Sequence, residues 1–395
     1  MHNVTPITEQ FQHFHAGLKE TFWGDVQQHS KLALKDFLEA ESERQRLQYL
    51  GLGYYEQSNA ADRDHRNGYY ERSFVTRFGT IRLRVARTRE KNFLPPGLEK
   101  FQRRADEVML LIKEMFLRGV PTRKVGELVA IFTEESVSAQ TVSNLTKCLG
   151  KMVQQFHEMP LHDDWAYLFL DGISIKVRQP GGRKRVQLLV AYGQKADGRR
   201  QLLAFMRSSG ESQAAWEGLL NDLYQRGFKG KNLRLIVTDG CPGLATALQV
   251  VYPRVKHQRC WVHKMRNIMN AARKRDREEI KAGAQAIYTA KGRQRAETAF
   301  KKFKFRWQKE YPSMVKRLEQ DLPELLAFFS LPENLWRSLR TTNVIERCFV
   351  EVRRRTRPMV CFVNIESVDR IIFAIFNAYN QKWQNRTLRI FTQAA

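Results

Sequence analysis

Apolar side chains recur at helical spacing through LKDFLEAESERQRLQYLG, and Gly51 stops the run, so residues 1–60 read as a mostly helical region. The pattern then changes to strand. In NGYYERSFVTRFGTIRLRVARTR, Phe74, Val75, Phe78, Ile81, Leu83 and Val85 carry the apolar positions. RLRV alternates basic with apolar residues, and Pro95, Pro96 and Gly97 close the segment, which predicts a small β unit over 61–105 with a charged outer face. Three short helical patterns follow over 106–155: DEVMLLIKEMFLRG, TRKVGELVAIF and SAQTVSNLTKCLG. Short helices joined by tight turns predict a helix-turn-helix DNA-binding domain, with Ser138, Gln140, Thr141, Ser143, Asn144 and Lys147 as the base-facing candidates. An ordinary trihelical bundle with a solvated polar face produces the same pattern.

Beyond Pro160 the texture is that of a sheet. WAYLFLDGISIKVRQ, RVQLLVAYGQ and RRQLLAFMRS read as three strands joined by short turns. SQAAWEGLLNDLYQRG is an amphipathic helix, LRLIVTDG a buried strand, CPGLATALQVVYP a short helix and VKHQRCWVH a last strand. The order βββαβαβ, with a continuously apolar fourth strand, predicts a mixed sheet covered by helices. The segment 264–330 turns helical and basic, and a final amphipathic helix, VDRIIFAIFNAYNQKW, closes the chain. The fold class is therefore α+β and multidomain.

Charge narrows the partner. The 395 residues carry 67 Lys and Arg against 41 Asp and Glu, a net +26, which points to a polyanion. The excess concentrates in Lys264–Lys309, where 15 basic residues face 4 acidic ones. Phe300, Phe303, Phe305 and Trp307 interleave with them, as stacking platforms or as the core face of a helix. Arg353, Arg354, Arg355 and Arg357 are further phosphate-binding candidates. Five cysteines, Cys148, Cys241, Cys260, Cys348 and Cys361, make no disulfide framework. No signal segment opens the chain and no apolar run approaches ~20 residues, so a cytoplasmic protein without a membrane partner is expected.

Candidate chemistry rests on acids. Asp171 falls within the first strand of the sheet and Asp239 ends the fourth, so neighbouring strands would bring them together; each Asp-Gly is equally a common turn signal. Glu346 lies in RTTNVIERCFVEVRRRTRP, where Asn343 and Glu346 have the spacing of a capping box. Glu351 is five positions on, about 500° around a helix, and is expected to pair with Arg355 instead. Three carboxylates with phosphate oxygens can hold two Mg²⁺ or Mn²⁺ ions for phosphoryl transfer.

The ordered runs DGISIKVR, VTDGCPGL, QRCWVH and RTTNVIERCFVEVRRRT, with GYYERSF and GTIRLRVARTR upstream, resemble the Mutator-related DDE transposases of bacterial insertion sequences. The resemblance implies a ribonuclease H-like catalytic core over 160–263 and 331–390, interrupted by a basic helical insertion at 264–330. It also implies that Asp171, Asp239 and Glu346 are the catalytic, metal-binding triad, separated by 68 and 107 residues. Cys260 and His263 match the family's Cys-x-x-His feature, and with Trp261 are expected to support the active site. Cys241 and His257 lie nearby, but two close ligands fall short of a structural zinc site. The implied function is binding of terminal inverted repeats and two-metal-ion strand cleavage and transfer, by a copy-out, paste-in route, on double-stranded DNA, with at least a homodimer in a bacterial, nucleoid-associated setting. A structure-specific nuclease of the same fold and a non-catalytic DNA-binding regulator are the alternatives.

Overall fold

The helical period over 34–51 is realised as α1 (Phe22–Leu50), which ends at Gly51. The computed structural model describes residues 22–53, 56, 64–90, 92–95, 97–98, 102–118, 120–179, 182–357 and 365–388. The chain divides into two units, Met1–Cys148 and Leu149–Ala395. In the first, β1 (Arg66–Thr76) and β2 (Gly79–Thr88) form an antiparallel hairpin. Alternation sends Phe74, Ile81, Leu83 and Val85 into one core with Leu98, against which Leu38 of α1 packs. Arg46 of α1 is buried and donates to the carbonyls of Gly68 and Arg87.

The three predicted short helices are α2 (Asp106–Leu117), α3 (Thr122–Thr133) and α4 (Ala139–Leu145). Ser138 caps α4 by accepting from the Thr141 amide. The last pattern, 138–150, is not one helix. Buried Thr146 donates its hydroxyl to the carbonyls of Val142 and Ser143, and a 3-10 turn, Thr146–Cys148, separates α4 from α5 (Leu149–Glu158).

The second unit is organised by a five-stranded mixed sheet in the order β5-β4-β3-β6-β7. Its strands are β3 (Trp165–Gln179), β4 (Gly182–Lys195), β5 (Arg200–Ser208), β6 (Leu235–Thr238) and β7 (Lys256–Arg259). The short turns make β3, β4 and β5 antiparallel neighbours, whereas β6 and β7 follow crossovers and run parallel to β3. The crossover helices are α6 (Gln213–Gln225) and α7 (Pro242–Val251). They bury Trp216, Leu220, Leu244 and Leu248 with Leu168, Leu170 and Leu189 of the sheet.

Four helices follow β7: α8 (Trp261–Ala271), α9 (Arg277–Tyr288), α10 (Arg293–Trp307) and α11 (Pro312–Leu325). The chain then passes through short α12 (Trp336–Leu339) to α13 (Asn343–Thr356) and α14 (Ile365–Trp383). Phe156 of α5 and Phe373 and Phe376 of α14 meet Phe205 or one another on the side of the sheet away from α6.

One expectation changes here, and one pair of alternatives is decided. RCWVH does not continue the last strand: β7 stops at Arg259 and a helix starts at Trp261. Trp261, Lys264 and Ile268 are buried at spacings of three and four, so the helical period of the following residues governs the segment. In α10 the aromatics are core, with Phe300, Phe303 and Trp307 buried; Phe305 is the exception, 85% exposed.

A polar cluster ties α11 to the sheet. Arg259 bonds Glu324 and Asp321, Lys264 bonds Asp321 at 2.5 Å, and Glu324 lies 3.5 Å from His257. Burial works against Glu324 ionising, but the bonds from His257 and Arg259 outweigh it and hold its pKa at about 2 against an ordinary 4.5. A depressed carboxylate pKa contributes stability above the unfolded value that is lost as pH falls through the folded one. Glu324→Gln is therefore expected to cost about 1–2 kcal/mol at pH 7 after solvent screening. The deficit should stay constant down to about pH 5 and shrink as pH falls further, as read from urea unfolding of both proteins.

Candidate active site

Asp171 and Asp239 meet because β6 is shorter than β3. Leu170 is paired with Thr238, where β6 ends, while β3 continues for nine more residues. The two aspartates are the next residues on these adjacent parallel strands. They stand at the carboxyl end of β6, the kind of crevice where α/β sheets place their ligands. Asp171 shares the sheet face of Tyr167 and Phe169 and is 5% exposed. Its carboxylate accepts from the Gly172 amide at 2.8 Å. Asp239 accepts from the Cys241 amide at 2.9 Å, an Asx turn that fixes its side chain. Gly240 between them has φ +93°, a left-handed conformation that a side chain would strain.

Glu346 comes from α13, which packs against β3. Its Oε1 lies 3.3 Å from His263 Nε2 on α8. The capping-box geometry is absent: Thr342, not Asn343, is the N-cap residue, and no side chain caps this helix end. With the helix starting one residue earlier than that box requires, Glu346 is fourth in α13 and its carboxylate is free to face the histidine. Asp171, His263 and Glu346 each offer one ligand atom, and these atoms all lie within 4.8 Å of one another. Asp239 lies outside that group of three.

The electrostatics of the centre are those of crowded negative charge. Burial, and then the charge of Asp239, raises the pKa of Asp171, so its ionised form is costly without a cation beside it. His263 is shifted up, first by the adjacent Cys260 and further by the charges of Asp171 and Glu346, which favours the imidazolium. A fourth carboxylate, absent from the sequence reading, approaches from the loop before α6. A Cβ on Gly172 would stand 2.4 Å from Glu211 Oε1, so the glycine makes room for it. Gln187 donates to that oxygen at 2.6 Å, and Cys241 Sγ donates to the Glu211 carbonyl. Burial and then Asp239 raise the Glu211 pKa as well. GES carries no periodic or motif signal, so only the packing of this loop over β3 reveals the residue.

Among the supporting residues, Cys260 is buried and its sulfur accepts from the Thr342 amide and hydroxyl at 3.3 and 3.4 Å, joining the start of α8 to the start of α13. Trp261 is core: its indole N–H donates to the Leu325 carbonyl at 2.7 Å and its ring meets Tyr288. His257 turns to the Thr238 hydroxyl, 2.7 Å away, rather than toward Cys260.

The nucleic-acid candidates divide. Ser138, Gln140, Asn144 and Lys147 are exposed, whereas Thr141 and Ser143 are half-buried. Gln140 donates to Asn144, and Ser138 serves as the cap. In α13, Arg353 and Arg357 are exposed. Arg354 and buried Arg355 both bond Glu351, at 2.7 to 2.8 Å, so this glutamate is matched by arginine as its spacing predicts.

Comparison with known proteins fits this geometry to a family. The sequence profile described as "Transposase, Mutator family" matches residues 8–386. The chain is 31% identical over 363 residues to the transposase for insertion sequence element IS905 of Lactococcus lactis, covering 92% of this chain and 91% of that one. It is 33% identical to the transposase for insertion sequence element IS256 in transposon Tn4001 of Staphylococcus aureus, over 86% of this chain and 87% of that one. A transposase for insertion sequence element IS1081 of Mycobacterium tuberculosis is 30% identical over 84% and 80% of the two chains.

Proposed function

Because the chain belongs to the Mutator family of transposases, we propose that it mobilises a bacterial insertion sequence by cutting and joining DNA strands at a DDE-type centre of Asp171, Asp239 and Glu346. In this reading the mixed sheet with α6, α7, α13 and α14 is a ribonuclease H-like core, and α8–α11 are its basic helical insertion. The helices α2–α4 are the helix-turn-helix that reads the terminal inverted repeats. The protein acts in the bacterial cytoplasm, at the nucleoid. Two ends held at once call for at least a homodimer, and the copy-out, paste-in route follows the family.

The observation that carries the reading is that Asp171, Glu346 and His263 bring ligand atoms within 4.8 Å of one another, with Asp239 close enough for its charge to raise the pKa of buried Asp171, although the three acids lie 68 and 107 residues apart in the chain. That donor set suits Mg²⁺ or Mn²⁺: the carboxylates are hard oxygen ligands, and the raised pKa of Asp171 marks a charge that a cation would stabilise. Asp171, Asp239 and Glu346 would hold the ions. When bound, divalent ions supply Lewis acidity to the phosphate and lower the pKa of the attacking water or 3′-hydroxyl.

The chain's own residues set the geometry. The Asx turn at Asp239 and the Gly172 amide at Asp171 hold two carboxylates in place, and His263 steers Glu346 toward them. Cys260, bonded to Thr342, keeps the helices that carry His263 and Glu346 in register. Among the described residues no helix is long and apolar enough to cross a membrane.

The test is purified protein with labelled end-sequence DNA and Mg²⁺ or Mn²⁺, followed on a denaturing gel. Joined products are expected. Cleavage without joining would instead identify a structure-specific nuclease, and tight binding without either product a regulator.

A further inference from the structure

A groove of about 720 Å³ opens between α8, α9, α12 and α13, lined by none of Asp171, Asp239, His263 and Glu346 themselves. Val262 and Arg347, which line it, are the chain neighbours of His263 and Glu346. Its charge is one-sided. Arg200, Arg266, Lys281, Arg337, Arg340 and Arg347 line it, and no carboxylate does among the described residues. Arg266, Lys281, Arg337 and Arg347 are exposed, and none has an ion pair among the described residues. In contrast, Arg354 and Arg355 on the same α13 are neutralised by Glu351.

Arg340 is built in. It donates to the Tyr288 carbonyl at 2.7 Å and stacks 4.8 Å over that ring, while its own carbonyl accepts from Trp261. Burial lowers its pKa, and neighbouring Arg337 lowers it further against an opposing effect of Tyr288. Met265 and Met269 add an apolar wall.

We infer that this groove holds a short run of single-stranded DNA at the centre, with its phosphates on Arg266, Arg337 and Arg347 and its bases along Met265 and Met269. The assignment rests on the strand-cutting reading above. The volume lies within the ~300–1,000 Å³ of small-ligand sites, the scale of a few nucleotides of one strand. Cations over an apolar wall are the pairing that single-strand sites use, charge for the backbone and soft surface for the bases.

The test compares fluorescence anisotropy of labelled oligothymidylate and of a duplex of equal length on the full-length protein, over a salt series. Arg337→Ser/Arg347→Ser is expected to weaken single-strand binding at least tenfold and to leave duplex binding within about twofold. Each lost phosphate contact on a single strand flattens the slope of log K against log salt by about 0.7, so the double variant should flatten it by about 1.4. Lys301→Ser/Lys309→Ser, removing one charge from α10 and one from the turn after it, should change single-strand affinity less than threefold. If the arginine variant does not fold, as judged by circular dichroism, Arg266→Ser/Lys281→Ser reads the same groove. Unchanged single-strand affinity and slope, an equal loss on duplex, or an equal loss in the lysine variant would each overturn the groove assignment. Failure of the unsubstituted protein to bind either DNA would instead overturn the transposase reading beneath it.

Discussion

Asp239→Asn is expected to abolish DNA strand cleavage, with a loss of at least ~10³-fold, while affinity for the end sequence stays within about twofold or rises. A thousandfold loss corresponds to about 4 kcal/mol of transition-state stabilisation at 1.36 kcal/mol per decade, on the scale of removing one group aimed at developing charge. The substitution keeps the size of the side chain, and the Asn carbonyl still accepts from the Cys241 amide, so the Asx turn survives. What disappears is one negative charge next to Asp171, whose raised pKa should then fall toward its ordinary value. Removing a like charge from a DNA-facing centre favours binding, which is why affinity is expected to hold or improve.

The glutamates of α13 supply the internal control. Glu346→Gln should be as inactive as Asp239→Asn, because Glu346 belongs to the group that includes Asp171 and His263. Glu351→Gln should retain activity within a few fold, since its carboxylate is occupied by Arg354 and Arg355. Single-turnover cleavage on a denaturing gel, with anisotropy for binding, measures all three. An active Asp239→Asn protein, or an inactive Glu351→Gln beside an active Glu346→Gln, would remove the triad assignment.

Trp261→Ala is expected to destabilise the second unit by about 3–5 kcal/mol, the range for emptying a buried large aromatic site. The ring is 1% exposed and meets Tyr288 with centroids 4.9 Å apart. Truncation also deletes the N–H bond to the Leu325 carbonyl, although Gln258 still donates to that oxygen at 3.0 Å. Trp261→Phe should therefore cost less, about 1–3 kcal/mol, because most of the ring remains and Leu325 keeps a partner. For a unit of this size each kcal/mol corresponds to roughly 2–4 °C in Tm, so the alanine variant should melt about 6–20 °C lower. Calorimetry would show it, and a loss under 1 kcal/mol would mean that Trp261 is not the anchor of α8. Since His263 is two residues further along that helix, cleavage should weaken in parallel.

Much of this organisation was legible in the chain. The order βββαβαβ could be read because β3 through β7 and the two crossover helices each carry the period of their own element, and short turns force β3, β4 and β5 into antiparallel contact. Glu351 could be assigned to arginine because the partner lies four residues away on one helix. The reading failed where the deciding contact is distant. RCWVH is too short for its own pattern to choose, and burial of Trp261 under Leu325 and Tyr288 makes it helical. The capping box at Asn343 is sound as local chemistry, yet Thr342 is held by Cys260, 82 residues earlier, so α13 takes its N-cap there.

Local periodicity and turn chemistry thus determined the elements and their order, with Asp171 inside one strand and Asp239 at the end of another. The tertiary structure alone decided the rest: that β6 inserts beside β3 and stops at Thr238, that α13 returns to face α8, that Glu211 fits over Gly172, and that six cations share a groove with no acid among the described residues. The reason is physical. A side chain's period reports which face is buried, whereas strand neighbours and helix returns are selected by non-local burial and crossover geometry, which leave no mark at any single position.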